Sequence, residues 1–486
     1  MWHVIIFFWL LYYLIKPKYS RRSLYPPGPL ALPLIGNLLS VWLGLKKYKY
    51  HHKLWQSWSQ TYGNILGLRL GSINVVVVSG KDMIKEISSR EVFEGRPDGF
   101  LYTMRSFGKK LGIVFADGRS WMNTRRVALK YLRNFGYGTR SMELIITEEC
   151  LELVKLRKTD AGQPILVNQM FNISVVNILW RVVAGRRYDL NDDRLKRLCA
   201  LVMRLFRLVD MSGGIISFMP FLRHVIPGLI GFTEMKSIHS SLQAFIKETI
   251  DEHRASIDVK NPRDVIDAFL MEMSTNQENA FTEEELHVVC LDMLEAGMET
   301  VANTAVFMLL YLVRDEGVQR RVQKEIDDVI GKRQPSLGDR SRMAYTEAVI
   351  LETLRLSSVA AMGVPHRALD DAHLGGYLIP KGTCLLMAIH DLHNGEFWED
   401  AGTFKPERFL TKEGNIIQDE RLMAFGLGRR RCIGEGLAKS ELFMFLTHIL
   451  QKFFIRIPDG DPPPSLKPVD GLTLSAKPFR VIFVER

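Results

Sequence analysis

The residues best equipped for chemistry lie together near the carboxyl end, in Phe425-Gly426-Leu427-Gly428-Arg429-Arg430-Arg431-Cys432-Ile433-Gly434. A lone thiol sits there among glycine turns and three arginines, and a helical run begins at Glu435. Nearby cations, backbone N–H groups and a helix N-terminus each favour thiolate over thiol. Such a loop suits an anion site, a redox-reactive cysteine, or a soft thiolate ligand for iron whose charge the N–H groups temper. The remaining cysteines, Cys150, Cys199, Cys290 and Cys384, are far apart and form no Cys-x-x-Cys pair, so they read as buried structural thiols.

Three other constellations carry polar groups at helical spacing. Ala296 and Thr300 are four apart and share a helix face, Gly297 between them lacks bulk, and Glu299 and Thr300 are polar in an otherwise apolar stretch. Glu295 adds a second acid directly before Ala296, and pairing with a neighbouring helix is the leading reading for it, ahead of contact with a polar substrate. Glu352 and Arg355 meet at i and i+3, with Arg408 placed to close a charge network. Such pairs are commonly solvated, but Ile350, Leu351, Leu354 and Leu356 around this one point to partial burial. Trp121 and Arg125 share one face of a further helix, and His366 follows Pro365.

These residues need a large scaffold. The chain has 486 residues, 47% of them hydrophobic, and a formal net charge of +10. That composition excludes a disordered or disulfide-stapled protein, and the mild positive excess suits an acidic partner or anionic membrane better than nucleic acid. Residues 282–313 run without proline from a Thr282-x-x-Glu285 start signal and are apolar on nearly all sides after Val288. This predicts a long helix through the centre of the fold. Further helices are expected over 121–134, 142–156, 169–183, 234–253 and 344–356, and hairpins over 64–79 about Gly71 and 373–381 about Gly375 and Gly376. At the amino end, residues 1–15 read as a retained membrane anchor, since the basic residues Lys16, Lys18, Arg21 and Arg22 follow the apolar run rather than precede it. Residues 16–29 then form a basic, proline-rich hinge ending in Pro26-Pro27-Gly28-Pro29, and 30–486 the catalytic domain.

At the Cys432 loop the sequence resembles the cytochrome P-450 family, whose haem-binding signature Phe-x-x-Gly-x-Arg-x-Cys-x-Gly is matched at Phe425, Gly428, Arg430, Cys432 and Gly434. The resemblance covers essentially the whole chain, and Leu34-Ile35-Gly36-Asn37, Trp121-x-x-x-Arg125 and Pro365-His366 look most like the microsomal branch of animals. It implies a mainly α fold with a small β-rich subdomain, haem b lying between the long central helix and the Cys loop, and Cys432 as axial ligand of the haem iron. By the same resemblance Ala296, Gly297, Glu299 and Thr300 form the oxygen-activation motif, with Gly297 leaving room for dioxygen and Glu299 and Thr300 guiding protons. Trp121, Arg125, His366 and Arg430 are the implied propionate ligands, with Lys109 near a position where some relatives use arginine. Glu352, Arg355 and Arg408 are the implied structural lock.

The implied activity is monooxygenation of a lipophilic substrate, with electrons from NADPH through a flavoprotein reductase and with cytochrome b5 as a second donor. Both donors are expected at a basic patch holding Lys130, Arg133, Arg429, Arg431 and Lys439. The implied location is the endoplasmic reticulum membrane, with the catalytic domain on the cytoplasmic face. Substrate contacts are expected from 100–114, 205–229, the central helix near Leu291 and Ala296, 358–364 and 472–474, and the apolar stretch 215–232 reads equally as a membrane-dipping segment or a core helix pair. The sequon Asn172-Ile173-Ser174 is inert under that topology. Two rival readings remain: a haem-thiolate isomerase or dehydratase of oxidised lipids that needs no reductase, and a non-enzymatic haem or lipid carrier.

Overall fold

The computed structural model describes residues 24–258, 260–275 and 281–486. The anchor at 1–15 and the basic part of the hinge therefore lie outside the described residues.

The organising element is the helix Glu283–Arg314, 32 residues long, which opens on Thr282, whose side chain accepts the Glu285 N–H. Nearly every residue along it is buried, because helices Phe232–Ser256, Ala344–Ser357, Asn172–Ala184 and Glu435–Lys452 pack around it. An all-round apolar helix can be stable in water only in such a central position. Among the described residues it is the one helix long and apolar enough to cross a membrane, and the fold places it inside the protein instead.

The strands are few, as the sequence suggests. In chain order they are β1 Ile65–Leu70, β2 Ile73–Val78, β3 Pro164–Leu166, β4 His366–Arg367, β5 Ala372–Leu374, β6 Tyr377–Ile379, β7 Cys384–Met387, β8 Phe453–Arg456 and β9 Arg480–Glu485. They make a sheet ordered β1-β2-β7-β4, a second ordered β3-β9-β8, and the β5-β6 hairpin. The two expected hairpins form in register, Leu70 opposite Ile73 and Leu374 opposite Tyr377. β4 then pairs with β7 so that His366 lies opposite Leu385, which ties the His366 loop to the main sheet.

The six expected helices form with ends shifted by a few residues, the sixth over Ala344–Ser357. Helices Leu38–Tyr48, His51–Tyr62, Asp193–Leu208 and Glu316–Val329 were not foreseen. The last two carry charge along much of their length, and only one face of each is buried. Asn172 and Ser174 of the sequon are buried within helix Asn172–Ala184, so the folded chain hides that site irrespective of compartment.

Candidate active site

The Cys432 loop is a tight arch whose ends are tied by its own backbone: the Cys432 N–H donates to the Phe425 carbonyl at 2.8 Å. Gly428 stands in the left-handed region at φ +65°, and a Cβ there would lie 1.9 Å from the Ser88 carbonyl oxygen. Only glycine meets both demands. The Gly434 N–H points at Cys432 Sγ from 3.3 Å, at the start of helix Glu435–Lys452. Burial nevertheless outweighs the N–H groups and Arg125 and raises the thiol pKa. Coordination to a metal would hold that sulfur as thiolate.

The central helix is interrupted in its burial at one place. Residues 285–295 and 301–313 are buried, while Ala296 is exposed and Gly297 and Thr300 are half-exposed. A break in the middle of the innermost helix is an internal window. Thr300 Oγ1 donates to the Ala296 carbonyl at 2.7 Å, which leaves its oxygen lone pairs as acceptors. Glu299 does not share this face. A Cβ on Gly297 would come within 2.5 Å of Leu179 Cδ2, so the missing side chain lets helix Asn172–Ala184 pack closely here. Glu299 is buried, and its Oε1 accepts from Arg207, from Asn303 at 2.8 Å and from Thr473 at 3.2 Å. With three donors on one oxygen it is an anchor in this arrangement rather than a carrier of protons to the window.

Near the loop lies a cationic corner. Arg430 stacks 3.5 Å over the Trp121 ring and donates Nε to the Glu94 carbonyl, while its Nη1 and Trp121 Nε1 are buried without partners. Arg125 follows on the same helix and donates to the Arg431 carbonyl at 2.6 Å. Arg96, which sequence reasoning missed, is buried beside them with no carboxylate partner: Nε binds the Val114 carbonyl and Nη1 those of Val364 and Pro365. Burial, with Arg430 and Arg125 close by, pulls its pKa well below the usual arginine range despite Asp117. His366 Nδ1 donates to the Phe93 carbonyl at 2.8 Å, and burial with Arg96 holds the ring near pKa about 3. Lys109, by contrast, is on the surface with Glu284 and takes no part. The run Glu94-Gly95-Arg96-Pro97 was the available signal, but nothing local distinguishes a buried arginine from a solvated one.

The third constellation is complete in itself. Arg355 grips Glu352 through two bonds of 2.7 and 2.8 Å, and both side chains are wholly buried. Arg408 Nε lies 3.4 Å from the same carboxylate, and Arg355 also binds the His393 and Ala401 carbonyls. Glu295 pairs with Arg105 at 2.8 Å, as the neighbour-pairing reading expects. Most of the expected basic patch is neutralised, since Arg429, Arg431 and Lys439 each hold a glutamate and Lys130 Nζ lies 3.5 Å from Glu272.

Comparison with known proteins fixes what this assembly is. The Cytochrome P450 family model matches residues 26–483. The chain belongs to the cytochrome P450 family. It is 64% identical over 484 residues to farnesoate epoxidase of Bombyx mori, covering 99% of this chain and 98% of that protein. Identity is 36% over 492 residues to the probable cytochrome P450 305a1 of Drosophila melanogaster, with 98% and 97% covered. It is 35% over 503 residues to cytochrome P450 2D28 of Mesocricetus auratus, with 100% and 98% covered. As a cytochrome P450 the protein is a haem-thiolate monooxygenase that carries haem b, takes electrons from NADPH through a reductase and acts on lipophilic substrates. The isomerase and carrier readings find no relative among these. Haem b fits the cytochrome P450 corner on the structure's own terms: its two propionates are anions, and the corner offers guanidinium groups lacking carboxylates and two orphaned buried N–H donors.

Proposed function

We propose that this cytochrome P450 epoxidises an acyclic isoprenoid acid of the farnesoate type, at a haem held by Cys432. The observation that carries the substrate class is the 64% identity, over nearly the full length of both chains, to an enzyme named for farnesoate epoxidation. Cys432 would hold the haem iron through its sulfur, and the Gly434 N–H would temper the sulfur charge. Arg96, Arg125, Arg430 and Trp121 hold the propionates, and Phe425, Gly428 and Gly434 shape the loop. His366 joins them only as a charged ring, because its Nδ1 proton is committed to Phe93 and neutral Nε2 can accept but not donate. Haem, when bound, supplies the iron centre at which dioxygen is activated and one oxygen atom is transferred to the substrate.

The chain's own residues orient and supply protons around that centre. Ala296 and Thr300 line the window, and the Thr300 hydroxyl accepts hydrogen bonds there while its own proton is tied to Ala296. Glu299 contributes to proton supply only when Arg207 releases it, since Arg207 and Thr473 occupy its carboxylate. Glu352, Arg355 and Arg408 hold the framework.

We assign the catalytic domain to the cytoplasmic face of the endoplasmic reticulum membrane. Support comes from two apolar surfaces that flank one hairpin tip: residues 30–43, with Leu30 82% exposed, and residues 215–229, with Leu229 84% exposed. Gly71 at that tip bonds the Ile35 carbonyl and lies against the Phe218 backbone, so the surfaces adjoin and suit contact with lipid. Reductase and cytochrome b5 dock on Arg126, Lys130 and Arg133, a stripe at helical spacing whose outer members hold no acid among the described residues.

The test is turnover of farnesoate and of its methyl ester by the membrane-bound protein with reductase and NADPH, read as epoxide by mass spectrometry. Epoxide from either supports the reading, and NADPH-dependent oxidation of other lipids with neither of these would overturn it. Thr300→Ala should retain haem but divert at least half of the consumed NADPH to hydrogen peroxide, measured as the epoxide-to-NADPH ratio.

A further inference from the structure

Beside the window lies a buried charge cluster that the reaction itself does not use. Arg105, in the segment after the short helix Phe100–Met104, places Nη1 2.6 Å from Asp292 Oδ1 and Nη2 2.8 Å from Glu295 Oε2. Each of the three is more than nine-tenths buried. Two carboxylates share one guanidinium, and although burial disfavours charge on Arg105, Glu295 and Asp292 more than offset it and raise its pKa. His239, from helix Phe232–Ser256, faces Glu295 at 3.8 Å, and burial keeps that imidazole neutral. It therefore supplies no second cation. From the same helix Gln243 donates to the Arg105 carbonyl at 3.1 Å, so the arginine is held at both ends.

The second oxygen of Asp292 carries the cluster's effect to the window. It accepts the Ile113 N–H at 2.5 Å and the Val114 N–H at 3.0 Å. A Cβ on Gly112, which sits at φ +82°, would lie 2.3 Å from that oxygen, so the loop backbone rests directly on the carboxylate. Asp292 stands one helical turn before Ala296, on the same face. The Phe115 ring that follows lies 5.7 Å from the Arg105 guanidinium. The 112–114 backbone is thus hung from an aspartate, one turn from Ala296, whose own position is set by Arg105 and, through it, by Glu295.

We propose that Glu295 and Arg105 are a positioning pair that sets, through Asp292, where the 112–115 loop lies over the window and so which carbon of a long lipophilic substrate is oxidised. Neither touches the reacting atoms. Glu295 balances the pull of Asp292 on the guanidinium; with Glu295 neutral, Arg105 collapses toward Asp292 and the loop shifts. The choice of farnesoate as reporter rests on the epoxidase reading, whereas the loop measurement does not.

The experiment compares wild type, Glu295→Gln, Arg105→Met and the double variant Arg105→Met/Glu295→Gln, each as full-length haem protein with a normal reduced carbon-monoxide spectrum. Amide exchange of Ile113 and Val114 should accelerate at least fivefold in Glu295→Gln. The ratio of terminal to internal epoxides from farnesoate, or from its methyl ester, should change at least threefold, mostly without change in kcat. Arg105→Met should weaken substrate binding about tenfold, and adding Glu295→Gln should recover a substantial part by removing one of two facing carboxylates. Rescue shows that the two side chains are coupled, and the change in product ratio is what separates positioning from a merely structural loss. Unchanged exchange in Glu295→Gln overturns the proposal whatever the products do, and faster exchange with an unchanged product ratio overturns its role in positioning. If Arg105→Met does not fold, Glu295→Gln alone decides. If wild type oxidises neither farnesoate nor its ester, the epoxidase reading fails and the exchange result still stands or falls by itself.

Discussion

Two groups of buried arginines bracket the chemistry of this protein, and they differ in whether the chain finishes them. Around Glu352 the carboxylate is fully engaged within the chain: Arg355 forks onto it and sends its remaining donors to carbonyls, Arg408 lies beside it, and the backbone N–H of Lys405 adds a further bond at 2.9 Å. Around Trp121, among the described residues, Arg430 Nη1 and Trp121 Nε1 have no partner and the Arg96 side chain has no acid. Buried donors are rarely orphaned, and a surplus of buried positive charge is rarer still. A network closed within the chain therefore marks framework, and one left open marks a place made for an anion from outside.

That contrast can be broken from either side. The largest effect is expected from Arg355→Leu, which leaves Glu352 an uncompensated buried charge. At a cost of ~3–5 kcal/mol, a large share of a domain's stability, little folded haem protein should accumulate. A normal yield in the reduced carbon-monoxide spectrum of membranes would show that the closed network is dispensable. Cys432→Ala should lose only the chemistry: the helical circular dichroism persists, while the red-shifted Soret band and NADPH-dependent turnover vanish. Turnover retained in that variant would remove Cys432 as ligand.

A smaller effect tests a closed network whose cation titrates. His51 lies between Asp210 and Asp470, 3.2 Å from each, and although burial opposes its charge the two carboxylates raise its pKa to about 9. The folded value exceeds the unfolded one, near ~6.5, so this stabilisation is complete below the latter and disappears as pH climbs through the former. Wild type should exceed His51→Gln in stability by on the order of 2–3 kcal/mol at pH ~6, with the gap closing above pH ~9. Chemical denaturation across that range reads it, and a gap independent of pH would mean that the contacts, not the charge, matter. The smallest effect belongs to the open corner, where Arg430→Met removes a cation that the chain itself does not pair. Stability should change by less than ~1 kcal/mol, while haem is lost about tenfold faster to an apo-globin acceptor, equivalent to about 1.4 kcal/mol. Equal rates of haem loss would deny the corner its role.

The same contrast explains what could be read from the sequence. Residues contiguous in the chain, such as the Cys432 loop and the β1-β2 hairpin, reveal themselves because turn chemistry and alternation are local. The Glu352 and Arg355 pair was legible because its apolar neighbours hinted at burial. Arg96 escaped because its surroundings come from Val114, Val364 and Pro365, which lie far from it in sequence. The sequence places Gly297 and Glu299 on the central helix but not their neighbours, since which face meets Leu179 or Arg207 depends on packing rather than on periodicity. Lys109 shows the converse, a basic residue near the right place in the chain whose side chain turns to the surface.

Val114 hangs between two supports, its N–H on Asp292 and its carbonyl on Arg96. One support is a carboxylate that Arg105 holds in place, and the other is a buried guanidinium. Because that one guanidinium also binds the Val364 and Pro365 carbonyls, the 112–114 backbone and the segment leading into His366 are yoked together, and a change at either is passed to the other.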